Sequence, residues 1–139
     1  MAHLGFDGES FRAFRDVARA GPIHMLNLVK FKPQAEYDDG RKATGAEAYA
    51  AYGRESAPVF DRLGGRIVWR GRMEHMLIGP ATGEEWDLCF IAEYPSVEEF
   101  TAMIKDPEYR EAMVHRQAGV ADSRLIRMNP LETGGNFAE

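Results

Sequence analysis

Three segments of the sequence carry apolar side chains on both faces of a strand, and this feature constrains the fold more than any other. The segments are residues 24–31, 87–94 and 122–128. In the first, Met25, Val29 and Phe31 would point to one face of the strand. Leu26 and Leu28 would point to the other. Because an antiparallel sheet with one face in water alternates apolar and polar residues, a sheet built from these segments has two apolar faces that both need a cover.

Helical and strand-like segments alternate along the chain. Phe11 and Phe14 recur at helical spacing and predict an extra helix over residues 8–20. Thr44 and Glu47 have the spacing of a capping box, which predicts the start of a second helix. The remaining predicted elements are a strand over residues 66–78, a strand over 87–94, helices from 96 and from 107, and a strand over 122–128.

Without the first helix the predicted order is β-α-β-β-α-β, the ferredoxin-like arrangement of an α+β protein. The right-handed crossover rule places the helices on one face of a four-stranded antiparallel sheet. The other apolar face then has no cover within the chain. Leaving it in water would forgo roughly several kcal/mol of hydrophobic stabilisation, at about 25 cal/mol per Å² of apolar surface. A twofold-related copy is the commonest cover, so we expect a homodimer through this sheet face.

Length and composition narrow the class of protein. A chain of 139 residues is typical of a single domain, here with a core over residues 22–128 and a polar tail over 129–139. The net charge of -5 is spread along the chain without a basic stripe, so we expect no nucleic-acid partner. The longest apolar runs are too short to span a bilayer. A lone Cys89 and the absence of a secretory signal predict a cytoplasmic protein.

The common signatures of cofactor and metal sites are missing. The four histidines, His3, His24, His75 and His115, lack metal-ligand spacing. No glycine-rich phosphate loop follows a strand. Cys89 lies in mid-strand, which is typical of a buried and inert thiol. We therefore expect neither a metal nor a cofactor.

Three polar residues are candidates for catalysis. Asn27 interrupts an apolar strand, and a buried amide without a partner costs roughly 1–3 kcal/mol. It either holds a neighbouring strand or loop, or orients a ligand carbonyl or dioxygen in a pocket. Arg116 ends a short helix and Asp122 begins the last strand. The two form a salt bridge, or Arg116 binds a carboxylate ligand through two hydrogen bonds.

Four further residues are candidates for ligand binding at the same pocket. Trp69 is either a wall of the pocket or a core residue, and three other side chains would lie along its rim. These candidates are Tyr52, Trp69, Tyr109 and Arg124.

Several ordered motifs resemble the DUF1330 family of the dimeric α/β-barrel superfamily. The matching motifs lie between residues 22 and 128 and are Met25-Leu-Asn-Leu-Val-Lys-Phe31, Tyr49, Tyr52, Gly64-Gly-Arg66, Trp69-Arg-Gly71, Trp86-Asp87, Tyr94-Pro-Ser96, Asp106-Pro-Glu-Tyr109, Arg116 and Ala121-Asp-Ser-Arg-Leu125. The resemblance implies a ferredoxin-like protomer whose sheet faces its twin around a cavity. It implies no established activity, and this chain has Ile78-Gly79 where many members carry Glu-Gly.

Two functions remain open at this point. The first is a small-molecule enzyme, similar to cofactor-independent monooxygenases or to isomerases, acting on a hydrophobic or carboxylated metabolite in the barrel cavity. Some superfamily members use an Asn on the first strand in this way, which the resemblance extends to Asn27. The second is a non-catalytic small-ligand-binding or stress-associated dimer. The absence of a recognised nucleophile, base or cofactor motif favours the second.

Overall fold

The computed structural model describes residues 2–139, which form one four-stranded sheet and four helices. The elements are α1 Gly8–Arg15, β1 Ile23–Phe31, α2 Gly45–Arg62, β2 Arg66–Gly71, β3 Leu88–Tyr94, α3 Val97–Lys105, α4 Pro107–Gly119 and β4 Val120–Met128. All neighbouring strands are antiparallel, in the order β2-β3-β1-β4. This confirms the predicted α+β, ferredoxin-like arrangement. Within residues 2–139, no helix combines the length and apolarity that crossing a bilayer requires.

Local signals in the sequence set most helix ends. The Thr44 hydroxyl accepts from the Glu47 N–H at 3.0 Å, and the Glu47 carboxylate accepts from the Thr44 N–H at 2.8 Å, so the predicted capping box is present. Gly64 ends α2 with a φ of +82°, a conformation that favours glycine. Asp106 caps α4, and Pro107 occupies its first turn.

The first helix is shorter than predicted. The sequence predicts a helix over residues 8–20, whereas α1 ends at Arg15 with Asp16 as its cap. Phe11 and Phe14 pack against the core, but Val17 is half exposed and gains no packing that would extend the helix.

The second strand also ends early. The prediction of a strand over residues 66–78 is wrong, because β2 stops at Gly71. Gly71 pairs with Cys89, next to the residue where β3 begins. The chain from 72 onward therefore has no partner strand and forms a loop to residue 87.

The inner face of the sheet packs against α2, α3 and α4. Alternate residues of β1, Ile23, Met25 and Val29, are buried on this face, together with Ala92 and Tyr94 of β3. Helix residues complete the core. These are Ala48, Tyr49, Val59, Phe100, Met103, Tyr109 and Ala112.

The outer face of the sheet carries an apolar row that crosses all four strands. In register order the row is Trp69, Ile91, Leu26 and Ile126. Trp69 is 51% exposed and Ile126 is 42% exposed. The prediction of two apolar faces is therefore confirmed, and the helices cover only the inner one.

Candidate functional site

A cavity of about 830 Å³ lies between the inner face of the sheet and the helices. Residues 3–14, which run from the start of the chain into α1, close one side of it. The family resemblance implies a cavity between the outer faces of two protomers. This cavity differs because it lies inside one protomer, on the opposite face of the sheet.

Aromatic and thioether side chains form a large part of the apolar cavity wall. Phe14 and Tyr94 each pack against Phe100, with ring centroids 5.2 and 5.1 Å apart. Edge-to-face contacts of this kind favour a wall that also accepts a planar apolar ligand. The apolar wall is Phe6, Phe11, Phe14, Met25, Phe60, Phe90, Phe100, Met103 and Met113.

Arg116 on α4 is one of several charged residues in the cavity wall. Its Nη1 donates to the Leu4 carbonyl oxygen at 2.6 Å, and its Nη2 donates to the Ser123 hydroxyl at 3.3 Å. Ser123, only 6% exposed, donates in turn to the His3 carbonyl oxygen at 2.6 Å. Among residues 2–139, no carboxylate lies within ion-pair distance of Arg116. Its charge is therefore met only by neutral oxygens.

The predicted salt bridge between Arg116 and Asp122 is wrong. Asp122 instead accepts from Arg124 Nη1 and from the His3 N–H, each at 2.8 Å. Burial raises the pKa of Asp122, but these hydrogen bonds outweigh it and hold the pKa below its ordinary value. Arg124 also donates to Glu84 at 2.9 Å. Asp122 and Arg124 thus stabilise the cavity rim, and Arg124 contributes to its wall.

Two candidate ligand-binding tyrosines meet in the cavity. The hydroxyls of Tyr52 and Tyr109 lie 2.7 Å apart. Burial raises the pKa of both phenols, and the nearby positive charge of Arg116 lowers it only in part. Both are therefore protonated at neutral pH, so one hydroxyl hydrogen of the pair is free to donate to a ligand. The Tyr49 hydroxyl, also in the cavity wall, has no hydrogen-bond partner among the described residues.

Asn27 lines the cavity from the middle of β1. Its Nδ2 donates to the Met25 carbonyl oxygen of the same strand at 3.0 Å, so it holds neither a neighbouring strand nor a loop. Within residues 2–139 its Oδ1 accepts no hydrogen bond. The amide thus leaves an acceptor available in the cavity wall.

Trp69 lies outside this cavity. A bulge between Ile67 and Trp69 shifts the pairing of β2, so that Ile67 lies opposite Ala92 and Trp69 opposite Ile91. Because one extra residue reverses the face to which later side chains point, Trp69 lies on the outer face. Ile67 contributes to the cavity wall instead.

The three histidines without an assigned role lie away from the cavity wall. His24 pairs with Glu93 at 2.7 Å on the outer face. His115 contacts Tyr37 at 2.6 Å and Glu55 at 2.7 Å, which ties the loop after β1 to α2 and α4. His75 lies in the loop after β2. Within residues 2–139, no group of three or more His, Cys, Asp or Glu side chains is placed to hold a metal ion.

Sequence reasoning missed two kinds of cavity residue. Ser123, Leu125 and Arg127 lie on the inner face of β4, and their strict alternation is the signal that could have identified them. Residues 3–7 carry no comparable signal, because they enter the cavity through contacts with residues more than 100 positions away.

Comparisons with known proteins place the fold. A family model described as "Domain of unknown function (DUF1330)" matches residues 40–128. The chain is similar to RPA0582, a protein of unknown function from Rhodopseudomonas palustris, with a TM-score of 0.90 and 60% identity over 96% of this chain and 100% of that one. No curated protein matches the sequence.

Two more distant structures share the fold alone. SnoaB, a cofactor-independent oxygenase from Streptomyces nogalater, has a TM-score of 0.54 at 15% identity, over 82% of this chain and 97% of that one. A DABB family protein with a ferredoxin-like fold from Mesorhizobium loti has a TM-score of 0.50 at 12% identity, over 81% and 99%.

Proposed function

Because the chain belongs to the DUF1330 family, which is defined by an unknown function, we propose a function from the cavity itself. Each protomer binds a small organic acid that combines an aromatic or otherwise apolar body with an anionic head group. The protein works as a homodimer.

The observation that carries this proposal is the Arg116 guanidinium. A guanidinium stays charged at any physiological pH, and Arg116 is partly buried at the cavity wall. Here its partners are a peptide carbonyl and a hydroxyl. A carboxylate binds a guanidinium through charge-assisted and often paired hydrogen bonds, about twice as strong as neutral ones. The free phenol hydrogen of the Tyr52–Tyr109 pair would add a third donor to the same head group.

The size and lining of the cavity support an apolar ligand body. Small-molecule pockets commonly have about 300–1,000 Å³ and an apolar wall with few polar groups. The cavity of about 830 Å³ fits this description. Three methionines in its wall, Met25, Met103 and Met113, adapt to ligand shape because their side chains are unbranched.

The outer face supports a second copy of the chain as its cover. Its central row is apolar, and the charges beside that row are already paired within the protomer. Glu93 accepts from Arg66 at 2.7 Å and lies 2.7 Å from His24, and these contacts lower the pKa of Glu93. A twofold-related copy therefore meets an apolar row whose neighbouring charges are already paired. Like charges of the two protomers do not repel each other across such an interface.

The binding proposal is tested with 1-pyrenebutyrate and its neutral amide. We expect the parent protein to bind the acid more tightly than the amide. Arg116→Gln should weaken binding of the acid about ten-fold or more, because it removes the charge that pairs with the carboxylate. Binding of the amide should change by less than about two-fold. Isothermal titration calorimetry measures both affinities.

The matched control is Arg110→Gln, on the same helix and outside the cavity wall. It should leave both affinities unchanged. Equal weakening of the acid and the amide in Arg116→Gln would show that Arg116 acts only through the fold, and would contradict the proposal.

A second candidate function is oxygenation or isomerisation of the bound acid without a cofactor. An uncompensated guanidinium stabilises developing negative charge, as in the enolate form of a ligand, and the Asn27 amide lines the same cavity. SnoaB, which has the same fold, is described as a cofactor-independent oxygenase. This candidate requires that the protein turns over the bound acid, measured as dioxygen uptake or ligand conversion. Asn27→Ala should slow this turnover without weakening binding of the acid.

A further inference from the structure

Residues 3–19 form a segment that we call the arm. We propose that the carbonyl oxygens of His3 and Leu4 in this arm occupy the carboxylate subsite of the cavity, so that an anionic ligand enters by displacing the arm. The inference rests on the proposed function, and it adds a gate that responds to the charge of the ligand.

The arm is attached to the rest of the protein mainly through its own backbone. Arg116 and Ser123 bind the carbonyl oxygens of Leu4 and His3, each at 2.6 Å. Arg127 donates to the Phe14 carbonyl oxygen at 2.7 Å and to the Arg19 carbonyl oxygen at 3.2 Å. Asp122 accepts from the His3 N–H at 2.8 Å. The core side chains thus hold four neutral carbonyl oxygens of the arm.

The side chains of the arm add limited packing. Phe11 and Phe14 are partly buried against the core, while α1 contains no buried residue. Phe6 lies over Phe100 with a centroid distance of 6.3 Å and is half exposed. An element with few buried contacts opens at a low free-energy cost compared with global unfolding.

The two arginines that hold the arm both lack a carboxylate partner among the described residues. Arg116 and Arg127 line the cavity, and the hydrogen bonds of their guanidinium groups all go to neutral oxygens. The Arg127 guanidinium also lies 5.4 Å from the centroid of the Phe14 ring. Burial, and then the neighbouring Arg19, lower the pKa of Arg127, as expected of a guanidinium without a counterion. A carboxylate inside the cavity offers Arg116 a stronger partner than the peptide carbonyl that it now binds.

Competition between the ligand and the arm follows from this geometry. A carboxylate that binds end-on to Arg116 would use hydrogens of Nη1 and Nη2, the two nitrogens that now donate to the Leu4 carbonyl oxygen and the Ser123 hydroxyl. Ser123 has one hydroxyl hydrogen, which the His3 carbonyl oxygen accepts. An anion that takes both donors releases residues 3–6. This leaves α1 held mainly through Arg127 and the packing of Phe11 and Phe14, so α1 opens more often. A neutral ligand of the same shape leaves residues 3–6 in place.

Limited trypsin digestion of the full chain tests the gate. Arg12 and Arg15 lie in α1, so cleavage after them requires the arm to open, whereas Arg72 lies in the loop after β2. We expect 1-pyrenebutyrate to accelerate cleavage after Arg12 and Arg15 about five-fold or more. Cleavage after Arg72 should not change, and 1-pyrenebutyramide should accelerate neither. In Arg116→Gln, cleavage in the arm should already be faster without ligand, and the acid should add nothing.

The outcomes separate the gate from the binding proposal. If the acid binds in an Arg116-dependent manner but cleavage in the arm stays constant or slows, the gate is overturned and the binding proposal stands. If the acid shows no Arg116-dependent binding, both proposals are overturned.

Discussion

Gly45→Ala should lower the free energy of unfolding by about 3 kcal/mol or more, because the fold leaves no space for the added methyl group. A Cβ on Gly45 would overlap the Lys32 carbonyl oxygen and would lie 2.8 Å from the Gly119 carbonyl oxygen. Both neighbours are backbone atoms, so no side-chain rotation relieves the clash. The three residues are also hydrogen-bonded there, since the Lys32 N–H donates to Gly119 at 2.7 Å and the Gly45 N–H to Lys32 at 3.1 Å.

Gly53→Ala is the matched control within the same helix. A Cβ on Gly53 meets no atom within 4 Å, so alanine should stabilise the helix by about 0.5–1 kcal/mol. Urea denaturation followed by circular dichroism measures both changes. Equal stability of Gly45→Ala and the parent would contradict the close approach of α2 to the chain after β1, and with it the way the helices cover the sheet.

Ile126→Glu should convert the proposed homodimer into a monomer. Ile126 belongs to the apolar row of the outer face and is exposed in the protomer, so a carboxylate there is solvated in the monomer. In the dimer each protomer would bury one unpaired charge, at a cost of roughly several kcal/mol per ion. The dissociation constant should therefore rise about 100-fold or more.

Sedimentation equilibrium measures this constant, and Val114→Glu is the control. Val114 is similarly exposed but lies on α4, away from the outer face. It should leave the dimer intact. A parent protein that sediments as a monomer at micromolar concentration, or equal dissociation in the two variants, would exclude the outer face as a dimer interface.

The sequence predicts the fold well wherever local signals agree with packing. The Thr44–Glu47 box starts α2, Gly64 ends it, and the alternation in β1 assigns its apolar residues to the correct faces. The prediction for β2 is too long because a strand ends where its partner ends. The start of β3 at Leu88, next to the partner of Gly71, is set by tertiary pairing and not by the composition of β2.

The candidate site is less predictable, because it depends on which face each side chain reaches. The bulge before Trp69 turns the indole to the outer face, and nothing in the sequence of β2 marks that extra residue. Arg116 and Asp122 are close in sequence, yet Asp122 pairs with Arg124 and Arg116 binds the arm. The contact of Arg116 with Leu4 spans 112 positions and forms only in the folded chain.

The position of a bound organic acid distinguishes the inner cavity from the outer face as the binding site. In a crystal structure of the complex with 1-pyrenebutyrate, we expect the ring system between the sheet and the helices, against Phe90 and Phe100. Its carboxylate should lie within hydrogen-bond distance of the Arg116 guanidinium, with residues 3–6 displaced. A ligand bound between the outer faces of two protomers, with the inner cavity still closed by the arm, would contradict binding in the inner cavity.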